Sequence, residues 1–108
     1  HYITIISPNT NIMTAIRYFI PTDGDTEQHP NIYTVASQPP FTLQTLKREF
    51  PLPGTFHWRF KTNLGKGHVW LDCMSDDEQI PTFKGSSGEV VFGKLTRMEE
   101  YGGGNGGG

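Results

Sequence analysis

The sequence lacks most features that would commit it to chemistry or to a membrane. It has one cysteine, Cys73, so no internal disulfide can form, and a lone thiol points to a cytoplasmic setting. No apolar run approaches the roughly 20 residues needed to cross a bilayer, and His1–Ile6 has neither the basic flank nor the length of a secretory signal. Positive charge is not in excess. Nine Lys and Arg stand against eleven Asp and Glu, a net charge of −2, whereas phosphate binding needs a concentrated positive face. No nucleic-acid partner is therefore expected. His1, His29, His57 and His68 show no ligand spacing, and Gly65-Lys66-Gly67 lacks the rest of a phosphate loop. No metal and no cofactor are expected.

Nucleophilic catalysis is equally poorly supported. Cys73 with His68 or His57 would be the only thiol–base candidate. His68 and Cys73 lie five apart in a strand-like segment, which sends their side chains to opposite faces. Cys73 falls on the face expected to be core, where a buried thiol is inert. The chain reads as a non-enzyme.

What remains is enough for one small domain: 108 residues, 34% hydrophobic and 19% charged. The ends read differently from the middle. Residues 1–11 form an extra segment with a polar, turn-rich close at Ser7–Asn11, and residues 102–108, GGGNGGG, read as a flexible spacer with more protein expected beyond it. Residues 12–101 are the expected domain.

Within it, Met13–Ile20 is β-branched and aromatic, a strand. A polar loop carrying Asp23, Asp25 and Glu27 leads to a second strand, Asn31–Val35. Thr42 is positioned to cap a helix through Phe50, with Leu43, Leu46 and Phe50 on one face and Pro51 and Pro53 ending it. Phe56–Lys61 alternates strictly, the turn at Gly65–Gly67 follows, and His68–Met74 is a fourth strand. After the acidic loop Ser75–Gln79, Glu89–Thr96 is the last strand. The order implies an α+β fold: a ubiquitin-like β-grasp, a five-stranded mixed sheet with one main helix across one side.

Two features suggest contact surfaces. If Val69, Leu71 and Cys73 face the helix, Trp70 and Met74 point away from it, so the patch is either an interface or is packed beneath a loop or the N-terminal segment. Five bases fall between Lys47 and Lys66 (Lys47, Arg48, Arg59, Lys61, Lys66), and four acids between Asp72 and Glu78 (Asp72, Asp76, Asp77, Glu78). Opposed patches could orient copies head to tail, or could simply be solvated faces. A ubiquitin-like PB1-type module, pairing basic and acidic patches, is the alternative reading.

From Thr14 to Met98 the chain resembles the DIX domain of dishevelled, Axin and coiled-coil DIX proteins. Thr14-Ala-Ile-Arg-Tyr-Phe is similar to the family's first strand and Thr42-Leu-Gln-Thr-Leu-Lys to its helix start, with Leu46 where a Phe usually stands. Phe56-His-Trp-Arg-Phe-Lys, Gly67-His-Val-Trp, Asp76-Asp77, Ile80-Pro81, Phe83 and Gly88-Glu-Val-Val follow in family order. Ser86-Ser87-Gly88 stands as an insertion, the spacing from Asp76-Asp77 to Ile80-Pro81 is one residue short, and Asn31 rather than Tyr follows Pro30. The downstream glycine spacer resembles dishevelled more than Axin, while Phe92-Gly93-Lys94 fits either. The resemblance implies head-to-tail polymerisation, with itself or other DIX proteins, scaffolding Wnt signalling complexes. By position, one patch would hold Asn31, Ile32, Tyr33 and Thr34, and the other Val69, Trp70, Asp72, Asp76 and Asp77.

Overall fold

The computed structural model describes residues 13–86 and 88–98. The N-terminal segment 1–11 and the glycine-rich stretch 102–108 lie outside the described residues. Chain order is β1 (Thr14–Phe19), β2 (Asn31–Val35), α1 (Leu43–Glu49), β3 (Phe56–Leu64), β4 (Gly67–Cys73), β5 (Phe83–Gly85) and β6 (Gly88–Arg97), with a single 3-10 turn at Pro21–Asp23 after β1. The main sheet runs β2-β1-β6-β3-β4, and β5 pairs with β6 off this path. All pairings are antiparallel except β1 with β6, which is parallel. This is the α+β, ubiquitin-like mixed sheet expected from the element order.

Six strands form where five were expected. The extra one, β5, has three residues, too few for alternation to declare itself in sequence; its pairing with β6 holds it. β3 also runs three residues past Lys61, to Leu64, because Thr62, Asn63 and Leu64 continue the ladder opposite Val69, His68 and Gly67. Gly65 then turns the chain with φ +58°, a left-handed conformation that costs glycine little.

Alternation decides which side chains build the core. Ile16 and Tyr18 from β1, Tyr33 and Val35 from β2, Phe56, Trp58 and Phe60 from β3, and Val91 and Leu95 from β6 are buried under α1. Each fully buried aliphatic or aromatic side chain contributes about 2 kcal/mol. Helix α1 adds Leu43 and Leu46, with Phe50 packed against their edge. Its start matches the sequence expectation: the Thr42 hydroxyl accepts from the Thr45 N–H at 3.4 Å. The Leu43 and Gln44 amides, which no helical carbonyl can reach, donate to the carbonyls of Glu78 (3.1 Å) and Asp76 (2.9 Å). The acidic loop is thereby fixed against the helix N-terminus.

Helix α1 has only seven residues and does not cover the whole sheet. Cys73 reaches the core, but Leu71 on the same face of β4 is 47% exposed and Val69 is half-buried. All three share the helix-side face, as the alternation implied, but only Cys73 is covered, because the short helix does not extend over the outer part of β4.

Candidate interaction surfaces

In a β-grasp sheet the outermost strands decide what the molecule can add. Here those strands are β2 and β4, each hydrogen-bonded on one side only among the described residues. Each therefore presents a row of unpaired backbone N–H and C=O groups, a template for another strand. The two candidate patches read from sequence fall one on each edge, at opposite ends of the sheet.

At the β2 edge, Asn31, Ile32 and Thr34 are exposed, and Ile32 is 57% accessible. Ile32 pairs with Arg17 and Thr34 with Ala15, which places both side chains on the sheet face opposite α1. The Asn31 amide donates to the Asp25 carboxylate at 2.9 Å, and Asp25 also accepts the Ile20 N–H at 3.0 Å. Tyr33 is different. Its ring is buried, edge-to-face against Tyr18 and Phe50, and its hydroxyl donates to the Leu46 carbonyl at 2.9 Å. Burial holds the phenol proton on to well above the usual tyrosine range, with the negative charges that Tyr18 and Glu49 can carry acting in the same direction. Tyr33 thus ties β2 to the helix and offers the edge only its backbone.

At the β4 edge, His68, Trp70 and Asp72 lie opposite Asn63, Lys61 and Arg59 of β3, on the face away from α1. Trp70 does point away from the helix, but it is half-buried rather than open to water. Its ring lies 5.6 Å from Phe19, 5.9 Å from Phe92 and 6.1 Å from His68, all edge-to-face. Lys61 and Lys94 lie over it, at 5.9 and 5.8 Å. A second aromatic cluster on the open face was not read from sequence. Phe19, Phe83 and Phe92 come from three separate segments, and only the parallel joining of β1 to β6 brings Phe19 beside Phe92.

The two charge runs are not opposed poles. Lys47 pairs with Asp76 at 2.8 Å, and Asp72 receives Arg59 at 2.8 Å and His57 at 3.0 Å. The His57 hydrogen bond, with Arg59 alongside, holds the Asp72 carboxyl below the usual carboxylate range. Asp77 accepts from the Ser75 hydroxyl at 2.6 Å. The strand pairing that sets β3 beside β4 folds Arg59 onto Asp72, and the docking of the acidic loop on α1 folds Lys47 onto Asp76, within one molecule. The three acids of the β1–β2 loop are anchors as well. Besides Asp25, Glu27 pairs with Lys61 at 2.6 Å, and Asp23 forms a two-pronged pair with Arg97, both contacts at 2.9 Å.

Cys73 is buried in the helix-side core, while His68 sits on the open face with Trp70 and Phe83. Burial first, then the nearby Glu78 carboxylate, pushes the Cys73 thiol up to about 11. The thiol and the imidazole lie on opposite sides of the sheet, as their spacing implied.

No described helix is long and apolar enough to cross a membrane. No curated protein matches the chain. A protein-family model, the DIX domain, matches residues 13–91, which spans the sheet from β1 into β6 and includes both free edges. Proteins of this family are joined through the domain to one another rather than to a substrate. The chain belongs to the DIX domain family, a family of protein-interaction domains.

Proposed function

We propose that the chain assembles head to tail, the β2 edge of one copy adding to the β4 edge of the next, and that the resulting filament scaffolds signalling complexes of the Wnt type. One observation carries the reading: among the described residues the sheet has two free edges at opposite ends and no strand that closes it. Taken across the sheet, β1 and β6 run one way, β2 and β3 the other, and β4 again with β1. A copy stacked in the same orientation therefore meets its neighbour with β2 antiparallel to β4, the more stable pairing. Cross-strand neighbours share a face. Ile32 and Thr34 thus come level with the His68, Trp70 and Asp72 row, while Val69 and Leu71 face the side carrying Asn31. The loop bearing Asp76 and Asp77 borders the same edge. An interface that joins unlike surfaces and does not close on itself propagates. Each contact can then be weak, because a filament multiplies its attached partners.

The same edges would pair with those of other DIX proteins in the cytoplasm, and a dishevelled-type rather than Axin-type member fits the glycine spacer. A purely charge-driven, PB1-like pairing has less support, since two of the acids that would serve it, Asp72 and Asp76, are tied to bases of the same molecule.

The test is sedimentation over a concentration series with two edge variants, Ile32→Asp and Leu71→Asp. The wild type sediments faster as concentration rises, each variant alone stays monomeric, and an equal mixture of the two stops at a dimer. A wild type that is monomeric throughout, or a mixture with no dimer, refutes the proposal.

A further inference from the structure

The open face carries a groove that neither edge uses. Its floor is Phe83, Val90 and Phe92, one wall is the β5–β6 hairpin at Gly85, Ser86 and Gly88, and the other is Arg17 and Lys61; it encloses about 400 Å³. The hairpin wall is where the sequence departs from its family's pattern by an insertion. Gly88 has φ +111° and open space where a Cβ would stand, so the wall is bare backbone at that point. The two cations differ. Lys61 is nearly covered, its side chain 13% accessible, held by Glu27 and lying 4.4 Å over the Phe83 ring. Arg17, in the middle of β1, has no ion-pair partner among the described residues. Where the groove continues past Arg17 its lining includes Glu89, and the Thr82 hydroxyl already donates to that carboxylate.

We propose that this groove is a docking site for an acidic peptide segment with a bulky apolar side chain. The apolar side chain would lie on Phe83, Val90 and Phe92, and a flanking carboxylate would take the two-pronged contact that a guanidinium offers. Charge complementarity selects this occupant: among the described residues no acid lines the groove beside its two cations, and a guanidinium without an ion-pair partner among them, beside aromatic rings, favours an anion attached to an apolar group. A nucleic acid fits less well. Base stacking needs free ring faces, and here His68 meets Phe83, and Phe19 and Trp70 meet Phe92, edge-to-face, with Lys61 over both Phe83 and Phe92. Because the groove lies off both edges, assembly would leave it open on every copy.

The experiment titrates a fluorescein-labelled acidic pentapeptide with a central phenylalanine, or the same peptide with alanine at its centre, into the Leu71→Asp protein, whose substitution lies on the other face of the sheet and so separates docking from assembly. Binding is read by anisotropy and mapped by amide NMR shifts. Shifts confined to Gly85, Ser86, Gly88, Val90 and Phe92, with affinity falling about tenfold or more in Arg17→Gln, support the proposal. Val90→Glu, which sets an acid on the groove floor, should abolish binding; an unchanged amide spectrum outside the groove shows that each variant is folded. The proposal fails if binding is absent at millimolar peptide, if the alanine-centred peptide binds equally well, if Arg17→Gln has no effect, or if single-stranded oligo(dT) displaces the peptide. Failure here leaves assembly of the wild type untouched, and loss of assembly leaves peptide binding in Leu71→Asp untouched.

Discussion

Tyr33 and Ile32 are adjacent on one edge strand, yet substitution should separate fold from assembly. Tyr33→Phe removes one hydroxyl and nothing else. The ring keeps its edge-to-face neighbours, Tyr18 at 5.7 Å and Phe50 at 5.4 Å. What is lost is the 2.9 Å bond to the Leu46 carbonyl. That carbonyl belongs to the last turn of α1, where the Phe50 N–H is drawn to Lys47 instead, so Tyr33 supplies Leu46 with its donor. Leaving a buried acceptor short of a donor costs about 1–2 kcal/mol, which for a domain of this size lowers Tm by roughly 5–10 °C. Thermal and urea unfolding followed by fluorescence of the buried Trp58 measures it. The phenol adds a pH signature. Its raised pKa means that the folded state keeps a proton the unfolded chain sheds near pH 10, so the associated stability is present below about pH 10 and lost as pH rises. Tyr33→Phe should therefore lose less stability than the wild type above that point. Ile32→Asp, on the exposed side of the strand, should shift the midpoint by no more than about 1 kcal/mol yet abolish assembly. An unchanged Tm in Tyr33→Phe, or a large loss of stability in Ile32→Asp, would refute this division. By the same reasoning a polar residue such as Asp at position 33 would unfold the edge, and its loss of assembly would say little about the contact itself.

Assembly should depend only weakly on salt, because Asp72 and Asp76 beside the β4 edge already have basic partners within the molecule; raising NaCl about tenfold from 50 mM shortens the screening length by roughly threefold and should leave the sedimentation profile nearly unchanged, whereas a charge-driven interface would dissolve. Cys73 should resist alkylation: with its thiol near 11 against about 8.5 for a free cysteine, the thiolate fraction at neutral pH falls roughly 300-fold, and a native-state rate with iodoacetamide close to that of the urea-unfolded chain would count against its burial. Asp72 should titrate below the ordinary aspartate value in carboxyl NMR, and His57→Gln should move it upward. Since the folded value is depressed, the contribution of this carboxylate is present above about pH 4 and lost as the solution is acidified through the lower folded value.

The fold was legible wherever a segment carried its own pattern. The alternation of Phe56, Trp58 and Phe60, the Leu43–Leu46–Phe50 helical face and the Thr42 cap are local signals, and each side chain went where its spacing sent it. The candidate surfaces were legible only in part, because exposure is a property of neighbours. Trp70 could be assigned a face, but its cover comes from Phe19, distant in sequence and brought close by a parallel pairing. Tyr33 and Ile32 looked alike as members of one strand; the helix carbonyl that claims the Tyr33 hydroxyl lies 13 residues away. The bases and acids formed clean runs along the chain, and antiparallel pairing of β3 with β4 set Arg59 against Asp72, a contact the runs did not announce. Arg17, by contrast, sits in the first strand with no charged neighbour in sequence, and its isolation emerges only from the assembled sheet.

Internal neutralisation has a consequence for how an open sheet edge stays selective. Backbone pairing alone would accept any strand, and the charge of Asp72 and Asp76 is already met within each molecule. Discrimination is then left to the side chains that border the ladder: Ile32 on one edge, and Trp70, Leu71 and Asp72 on the other. Trp70 is fixed in advance by the rings and ammonium groups around it, so it would lose little rotamer freedom on contact. Asp72 is likewise held by two bases. One edge therefore presents a rigid, pre-formed row and the other a single exposed aliphatic side chain. Unlike surfaces of this kind favour joining head to tail over joining edge to identical edge.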